Sequence, residues 1–332
     1  MHNRWHPDLE PAFRVKPGAE LRLECQDGIA GQLGPDSTHD DVSLLDLGLA
    51  HPLTGPVFVE GADPGDTLCV DFLAYEPDSF GATPIVPGFG FLADLFPAPY
   101  LVKWRMAGGR AISDELPGVA VPGDPFAGVV GVAPSRERME EFRAREERIR
   151  TAGGPVADAM PETAIPSEAA DGLRTIPPRE IGGNVDIRQL GAGSTLFLPV
   201  DVPGALFSIG DLHFAQGDGE VCGTAIEMRG AVTVRFRLQH SSIRFPQYRT
   251  PPRPGREHFA TTGIATGEAM DIGGAARLAL LEMIGYLERE HGFEPPAAYA
   301  LCSAAVDLRI SELVDVPYPL VSALLPLDIF AA

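Results

Sequence analysis

The side chains most able to do chemistry are carboxylates and one imidazole that lie among glycines in the second half of the chain. They are Asp186, Asp211, His213, Asp218, Glu220 and Glu227. If 207–213 forms a strand, Asp211 and His213 point to the same face, because side chains two residues apart in a strand share a face. Gly217 and Gly219 then permit a tight turn that returns Asp218 or Glu220 toward that face.

An imidazole that converges with carboxylates is a suitable ligand set for Zn²⁺ or a similar divalent ion. The alternative from the same spacing is a hairpin with a solvated acidic tip, in which His213 only bonds a backbone carbonyl. Glu227 ends an apolar run, and a carboxylate at the end of a buried strand needs a cation or hydrogen-bond donors.

Cys222 follows Glu220 by two residues, so a thiol nucleophile beside a carboxylate is a further possibility. The competing interpretation is a small buried residue on a strand beside Val221 and Ala225. The sequence has no GxSxG elbow, no phosphate-binding loop motif and no GxGxxG fingerprint. Serine hydrolases of the elbow type, P-loop enzymes and dinucleotide-binding enzymes are therefore not supported.

Composition bounds the class of protein. The chain has 332 residues, of which 45% are hydrophobic and 22% charged, as in a folded globular protein of two domains or one large domain. Its formal net charge of −20 repels nucleic acids and anionic membranes. We expect no secretory signal, no membrane span and a cytoplasmic location. The four scattered cysteines favour reduced thiols over disulfides.

The pattern of apolar residues predicts a mainly β protein. The 37 Gly and 32 Pro favour many short strands. Every second residue is apolar in 19–25, 67–73 and 231–238, which is the period of a strand with one buried face. The segment 84–125 has no clear period and is predicted to be a long ordered loop or an insertion.

Three segments have the pattern of helices. Residues 136–150 predict a charged helix with a thin apolar stripe, 272–287 an amphipathic helix that ends before Gly292, and 296–306 a shorter helix. We therefore divide the chain into three parts. Residues 1–150 form a mainly β part with inserted loops and the charged helix, 151–178 a connector, and 179–332 a β-rich catalytic part with the C-terminal amphipathic helix.

Several long motifs follow one another over nearly the whole chain. They are HNRWHPD at 2–8, GPVFVEGADPGD at 55–66, PPREIGGNVD at 177–186, GDLHFAQGDGE at 210–220 and LLPLDIF at 324–330. Together they resemble the acetamidase/formamidase family of amidases. The resemblance implies a mainly β fold with an α+β portion, a β-sandwich-like core and C-terminal helices. It also implies hydrolysis of a small amide to a carboxylate and ammonia, and an association with zinc.

Roles follow from the matching motifs and from the chemistry above. The expected metal ligands are Asp186, His213, Asp211 and Glu227. Glu220 is the expected general base, Asp218 and Cys222 remain candidate catalytic residues, and N–H groups at 217–219 are expected to bind an oxyanion.

Two other functions stay open at this stage. They are the opening of γ-lactams, which some related enzymes perform, and the binding of small amides without turnover on the same fold. Exposed edges of short strands and an Ala/Leu-rich C-terminal segment predict a homodimer or a larger homo-oligomer.

Overall fold

The computed structural model describes residues 1–158, 160–251 and 257–330. The α-helices there are His39–Val42 (α1), Arg136–Thr151 (α2), Ile272–His291 (α3) and Pro295–Ala305 (α4). The strands are Arg4–Trp5 (β1), Phe13–Val15 (β2), Glu20–Cys25 (β3), Thr54–Val59 (β4), Thr67–Ile85 (β5), Tyr100–Ala107 (β6), Arg110–Ile112 (β7), Ala120–Pro122 (β8), Phe126–Gly131 (β9), Leu173–Arg174 (β10), Pro178–Arg179 (β11), Gly182–Asn184 (β12), Thr195–Pro199 (β13), Phe207–His213 (β14), Glu227–Gln239 (β15), Gln247–Arg249 (β16), His258–Ile264 (β17), Asp307–Glu312 (β18) and Leu320–Pro326 (β19). Short 3₁₀ helices span Leu47–Leu49, Pro161–Thr163, Ser167–Ala169 and Leu327–Ile329.

Most of the described strands join one curled, hydrogen-bonded sheet, which confirms the prediction of a mainly β fold. The long strands β5 and β15 pair antiparallel over most of their length, and β3 pairs with β15 as well. β14 lies between β9 and β15 and is buried along its whole length. The central strands are rich in valine, isoleucine and phenylalanine because side chains cover them on both faces.

The three alternating segments are strands, and the predicted strand 207–213 coincides with β14. The prediction of a long loop over 84–125 was wrong, because this segment contains β6, β7 and β8. β6 extends the sheet by pairing with the end of β5, and it buries Leu101 and Trp104. Pro and Gly between these short strands interrupt the alternation, so no period is visible in the sequence.

The helices begin and end close to the predicted residues. Ser135 caps α2 by accepting a hydrogen bond from the Arg138 N–H at 3.1 Å. α3 stops before Gly292, whose φ of +68° is left-handed. α3 packs on β17 through Ala275 and Ala279, and Met283 and Leu287 continue the same buried face of the helix. A Cβ at Gly263 of β17 would lie 2.1 Å from the Ala275 carbonyl oxygen, so small residues are required there.

Hydrogen bonds connect the first part of the chain with the last. β9 pairs with β12 on one side and with β14 on the other. The division at 151–178 stays a prediction about sequence character. No helix within the described ranges is long and apolar enough to cross a membrane.

A buried ion pair holds α2 against the segment before β12. The Arg145 guanidinium donates to both Glu180 carboxylate oxygens, at 2.7 and 3.0 Å, and its Nε donates to the Tyr318 hydroxyl at 2.8 Å. The two charged side chains are 11% and 12% exposed. Burial disfavours the Glu180 carboxylate, but its hydrogen bonds with Arg145 outweigh burial and lower its pKa.

We expect Glu180→Gln to lower the free energy of unfolding by about 3 kcal/mol, because Arg145 is then buried without a counter-charge. The exposed pair Arg105–Asp114 has the same two-bond geometry, at 3.1 and 3.2 Å, so Asp114→Asn should cost less than about 1 kcal/mol. Urea unfolding at neutral pH measures both. The Glu180 contribution should also be lost as the pH falls through its lowered pKa, and equal effects of the two variants would contradict the prediction.

Candidate active site

Four neighbouring strands bring the predicted site residues together. The strand order is β12, β9, β14, β15. Asp186 follows β12, while Asp211 and His213 lie on β14. Glu227 begins β15 directly opposite His213 in the antiparallel register, so the two side chains share one face of the sheet. Residues far apart in sequence therefore meet at one point.

His213 lies at the centre of this group. Its Nε2 is 3.3 Å from Asp211 Oδ1, 3.2 Å from Glu227 Oε1 and 3.9 Å from Glu220 Oε1. Its Nδ1 is 3.8 Å from Asp186 Oδ1. The predictions that Asp211 converges with His213 and that the glycine turn returns Glu220 are confirmed. All five side chains are buried.

Backbone strain accompanies this convergence. Asp186, Asp211 and Glu220 have φ values of +43°, +55° and +45°, in the left-handed region that non-glycine residues rarely adopt. Such conformations cost of the order of 1–3 kcal/mol each and gather at functional sites.

Two glycines leave the space that the carboxylates occupy. A Cβ at Gly128 of β9 would lie 2.5 Å from Asp186 Oδ1 and 2.6 Å from Asp211 Oδ2. A Cβ at Gly28 would lie 2.1 Å from Asp211 Oδ1. The carboxylates therefore occupy space that is open only because the two neighbouring residues are glycines.

Gln216 fixes the protonation of the His213 ring. The Gln216 side-chain nitrogen donates to the Asp186 backbone carbonyl at 2.9 Å, so its oxygen faces His213 Nδ1 at 2.8 Å. An amide oxygen only accepts, and Nδ1 must therefore carry the proton. Without a cation, the charges of Glu227 and Asp211 outweigh burial and raise the pKa of His213 well above its usual value, so Nε2 is protonated as well. A cation that displaced this proton would meet the lone pair of Nε2. This is the arrangement by which a partner in the protein orients a histidine that binds a metal ion.

Three of the four carboxyl groups resist ionisation, whereas the fourth, Asp211, is ionised readily. Burial raises the pKa of Asp186 to about 6 and that of Glu227 to about 7. Burial and the nearby charge of Asp186 raise the pKa of Glu220 well above its usual value. Burial also disfavours the Asp211 carboxylate, but the charge of His213 outweighs burial and lowers its pKa. The cluster therefore holds protons that a bound cation would displace.

No lysine or arginine offsets these acids. Within residues 1–158, 160–251 and 257–330, the only basic side chain in an ion pair with the cluster is His213. In the same ranges both carboxylate oxygens of Asp186 and Nε2 of His213 are buried without a hydrogen-bond partner. Two triads of suitable ligand atoms share His213. They are Asp186, His213, Glu220 and Asp211, His213, Glu227, each with ligand atoms within 4.8 Å of one another. These groups fit a metal ion.

Four further residues belong to the site and were missed by the sequence analysis. They are His51, Asn184, Glu312 and Asp315. The Asn184 side-chain amide donates to Asp315 Oδ2. Burial and the charge of Glu312 raise the pKa of Asp315 well above its usual value. Burial lowers the pKa of His51, which keeps this ring neutral. Glu312 ends β18 and Asp315 follows three residues later, Asn184 stands two residues before Asp186, and His51 lies on another loop, so only the fold brings these segments together.

Asp218 lies apart from the cluster. One of its oxygens accepts from Arg309 at 2.7 Å and the other from Gln189 at 3.1 Å. The N–H groups of Gly219 and Glu220 donate to the Ser311 and Gly217 carbonyls. Within 217–219, the N–H group of Gly219 is therefore not free to bind an oxyanion, and the expectation for the N–H groups of 217 and 218 stays a prediction.

Cys222 is half-buried, and its Sγ contacts the Thr224 carbonyl oxygen at 3.3 Å. It lines an outer cavity together with Asp218 and Glu220. The inner cavity, about 240 Å³ in volume, borders the cluster and reaches Asp211, Glu220 and Glu227. Glu220 thus separates the two cavities, whereas Cys222 faces only the outer one.

The Acetamidase/Formamidase family model matches residues 1–332. The chain belongs to this family. It is 35% identical to a formamidase of Methylophilus methylotrophus, over 99% of this chain and 89% of that protein. It is 38% identical to an acetamidase of Mycolicibacterium smegmatis, over 90% and 84% of the two chains.

Solved structures of family members share the fold. An acetamidase of Bacillus halodurans superposes with a TM-score of 0.80 at 25% identity, covering 99% of this chain and 95% of that one. A gamma lactamase from Delftia acidovorans superposes with a TM-score of 0.74 at 35% identity, covering 100% and 89%. This member of the Acetamidase/Formamidase family is a hydrolase that acts on carbon–nitrogen bonds other than peptide bonds, those of linear amides.

Gly128→Ala should disrupt the site, because its Cβ would collide with Asp186 and Asp211. We expect a loss of about 2 kcal/mol in the free energy of unfolding, together with loss of amide hydrolysis. Gly34→Ala is the matched control, since a Cβ there meets nothing within 4 Å. It should leave stability unchanged or raise it by up to about 1 kcal/mol. An active, stable Gly128→Ala variant would show that the carboxylates do not need this space.

Proposed function

We propose that this protein hydrolyses a small aliphatic amide, of the acetamide or formamide class, to a carboxylate and ammonia with the help of a divalent metal ion. The observation that carries the proposal is the buried Nε2 of His213, which faces three carboxyl groups with no lysine or arginine partner in the described part of the chain. A cation satisfies these groups at once, because it removes the repulsion between carboxylates.

The proposed ligands are Asp186, His213, Asp211 and Glu227. His213 would contribute Nε2, since Gln216 holds the proton on Nδ1. We propose zinc, because it takes imidazole nitrogen together with carboxylate oxygen in a small coordination shell. When bound, such an ion supplies a Lewis acid and lowers the pKa of nearby water to about 7.

Glu220 is the proposed general base. It lines the inner cavity, where an amide has access to it, and its raised pKa lets it hold a proton near neutral pH. Glu220 would take a proton from the attacking water and return it to the departing nitrogen, so that ammonia leaves as a neutral molecule. His51, neutral and on the same cavity wall, offers the substrate an imidazole without adding charge.

Hydrolysis of γ-lactams is a second candidate function. Its support is the likeness to the Delftia acidovorans protein, which is named a gamma lactamase. A lactam presents the same carbonyl and nitrogen in a ring, so the cluster would act in the same way. Release of an amino acid instead of ammonia distinguishes the two activities.

The assembly of the protein stays a prediction, as does its cytoplasmic location. Phe91, Leu95 and Phe96 are more than half exposed and form an apolar surface beside the glycines at 88 and 90. Such surfaces often mark contacts between proteins, which supports the proposed homo-oligomer.

Chelation should remove ammonia release from formamide and acetamide, and added Zn²⁺ should restore it, because the carboxylates then regain their counter-charge. The chelated protein should also melt at a lower temperature than the zinc-loaded protein, since bound metal stabilises the folded state. Turnover that survives full removal of the metal, verified by elemental analysis, would refute the metal dependence.

Glu220→Gln should lower kcat at least about a hundredfold while the metal content stays normal, because an amide side chain cannot carry the proton. Cys222→Ala is the paired variant and should keep kcat within about twofold. If Glu220→Gln also loses the metal, Glu220 is a ligand. An inactive Cys222→Ala with normal metal content would favour the thiol as nucleophile.

A further inference from the structure

The inner cavity has two chemically different ends. The cluster forms one end through Asp211, Glu220 and Glu227. The rest of the wall is mainly aliphatic and aromatic. Its apolar residues include Ile29, Leu47, Ala50, Val86, Phe89 and Ile176. A ligand that spans the cavity must therefore be polar at one end and apolar at the other.

The volume exceeds what the smallest amides need. The cavity measures about 240 Å³. An apolar cavity of about 150 Å³ holds a benzene molecule. The remaining volume suits a carboxamide group, whereas formamide would leave most of the apolar wall in contact with water.

Phe89 is placed to contact an acyl group near the reacting centre. A Cβ at Gly223 would lie 2.4 Å from the Phe89 ring, so only glycine lets the ring lie against this loop. Gly223 has a φ of +86° and its N–H donates to the Glu220 carbonyl at 2.7 Å. The same turn thus sets the position of the proposed base and of the aromatic wall beside it.

The wall disfavours a charged acyl group. Arg174 lines the cavity, where two of its nitrogens donate to the Asp158 and Leu47 backbone carbonyls, each at 2.7 Å, while its Nε is buried without a hydrogen-bond partner among the described residues. If the substrate bound in the reverse orientation, its carboxylate would face the acids of the cluster, which repel it. With the carboxamide at the cluster, the carboxylate would lose its hydration beside Ile29 and Val86, which offer it no hydrogen bond.

We infer that the preferred substrate is a primary amide with a neutral, apolar acyl group about the size of a phenyl ring, as in benzamide. The inference rests on the proposed amide hydrolysis and extends it: small aliphatic amides remain substrates, and a larger apolar acyl group is preferred over them. The carboxamide lies at the cluster. Water forms a C–O bond to the carbonyl carbon, one of its protons passes through Glu220 to the amide nitrogen, and the C–N bond then breaks. The products are ammonia and the carboxylic acid of the apolar acyl group, which ionises on release.

The test compares kcat/KM of the metal-loaded full chain for acetamide, butyramide, benzamide and succinamate. Benzamide should exceed acetamide at least tenfold, and succinamate should be the poorest substrate. Ala157→Leu narrows the apolar end and should lower the benzamide-to-acetamide ratio at least tenfold. Ala152→Leu makes the same change at an exposed position of the same connector and should leave the ratio unchanged.

A second variant guards against misfolding of Ala157→Leu. Phe89→Ala removes the aromatic wall without adding bulk, and it should also lower the ratio about tenfold. Calorimetry with the Glu220→Gln variant measures the affinity of the cavity for benzamide, because this variant should not hydrolyse the amide. Binding there that exceeds the binding of acetamide at least tenfold supports the inference.

The outcomes separate the two proposals. If acetamide is hydrolysed but benzamide is neither hydrolysed nor bound, the substrate class is overturned while the amidase function stands. A preference for succinamate also overturns it. If no amide is hydrolysed, yet benzamide binds and Ala157→Leu weakens this binding tenfold, the proposed function fails and the ligand class stands.

Discussion

A buried imidazole faces carboxyl groups that no lysine or arginine of the described chain neutralises, and the rest of the site follows from this electrostatic constraint. His213 carries at most one positive charge, against Asp186, Asp211, Glu220 and Glu227. Burial without compensation is expensive for each carboxylate. Three of the groups can hold protons, which the raised pKa values of Asp186, Glu220 and Glu227 favour, or all four can share a cation. The fold must keep them close in either state.

The backbone is strained at the residues that hold these carboxyl groups close together. Asp186, Asp211 and Glu220 all have positive φ, and the buried strands around them supply the packing that holds these conformations. Gly28 and Gly128 have no side chain, and this leaves room for the carboxylates, since a Cβ at either position would collide with them. Gln216 couples two parts of the site, because it bonds both the His213 ring and the Asp186 backbone.

The inner cavity connects this acidic centre with an apolar wall. The two ends have different proposed functions, proton transfer at the acidic end and binding of the acyl group at the apolar end. The acidic end carries the proposed proton transfers through Glu220. The apolar end, with Ile29 and Phe89, offers contacts that hold a substrate by burial of its acyl group. The arrangement orients an amide, since only its polar head is compatible with the acidic end.

The sequence by itself determined the mainly β class, the helices α2 and α3, and the strand that carries Asp211 and His213. These follow from local periods and caps, which depend on neighbours along the chain. Motifs also indicated the family. The long loop predicted over 84–125 was wrong, since β6 is stabilised by pairing with the distant end of β5. Only the tertiary structure placed His51 and Asp315 at the cavity and Asp218 with Arg309, because such contacts depend on strand order and loop paths that no local spacing encodes.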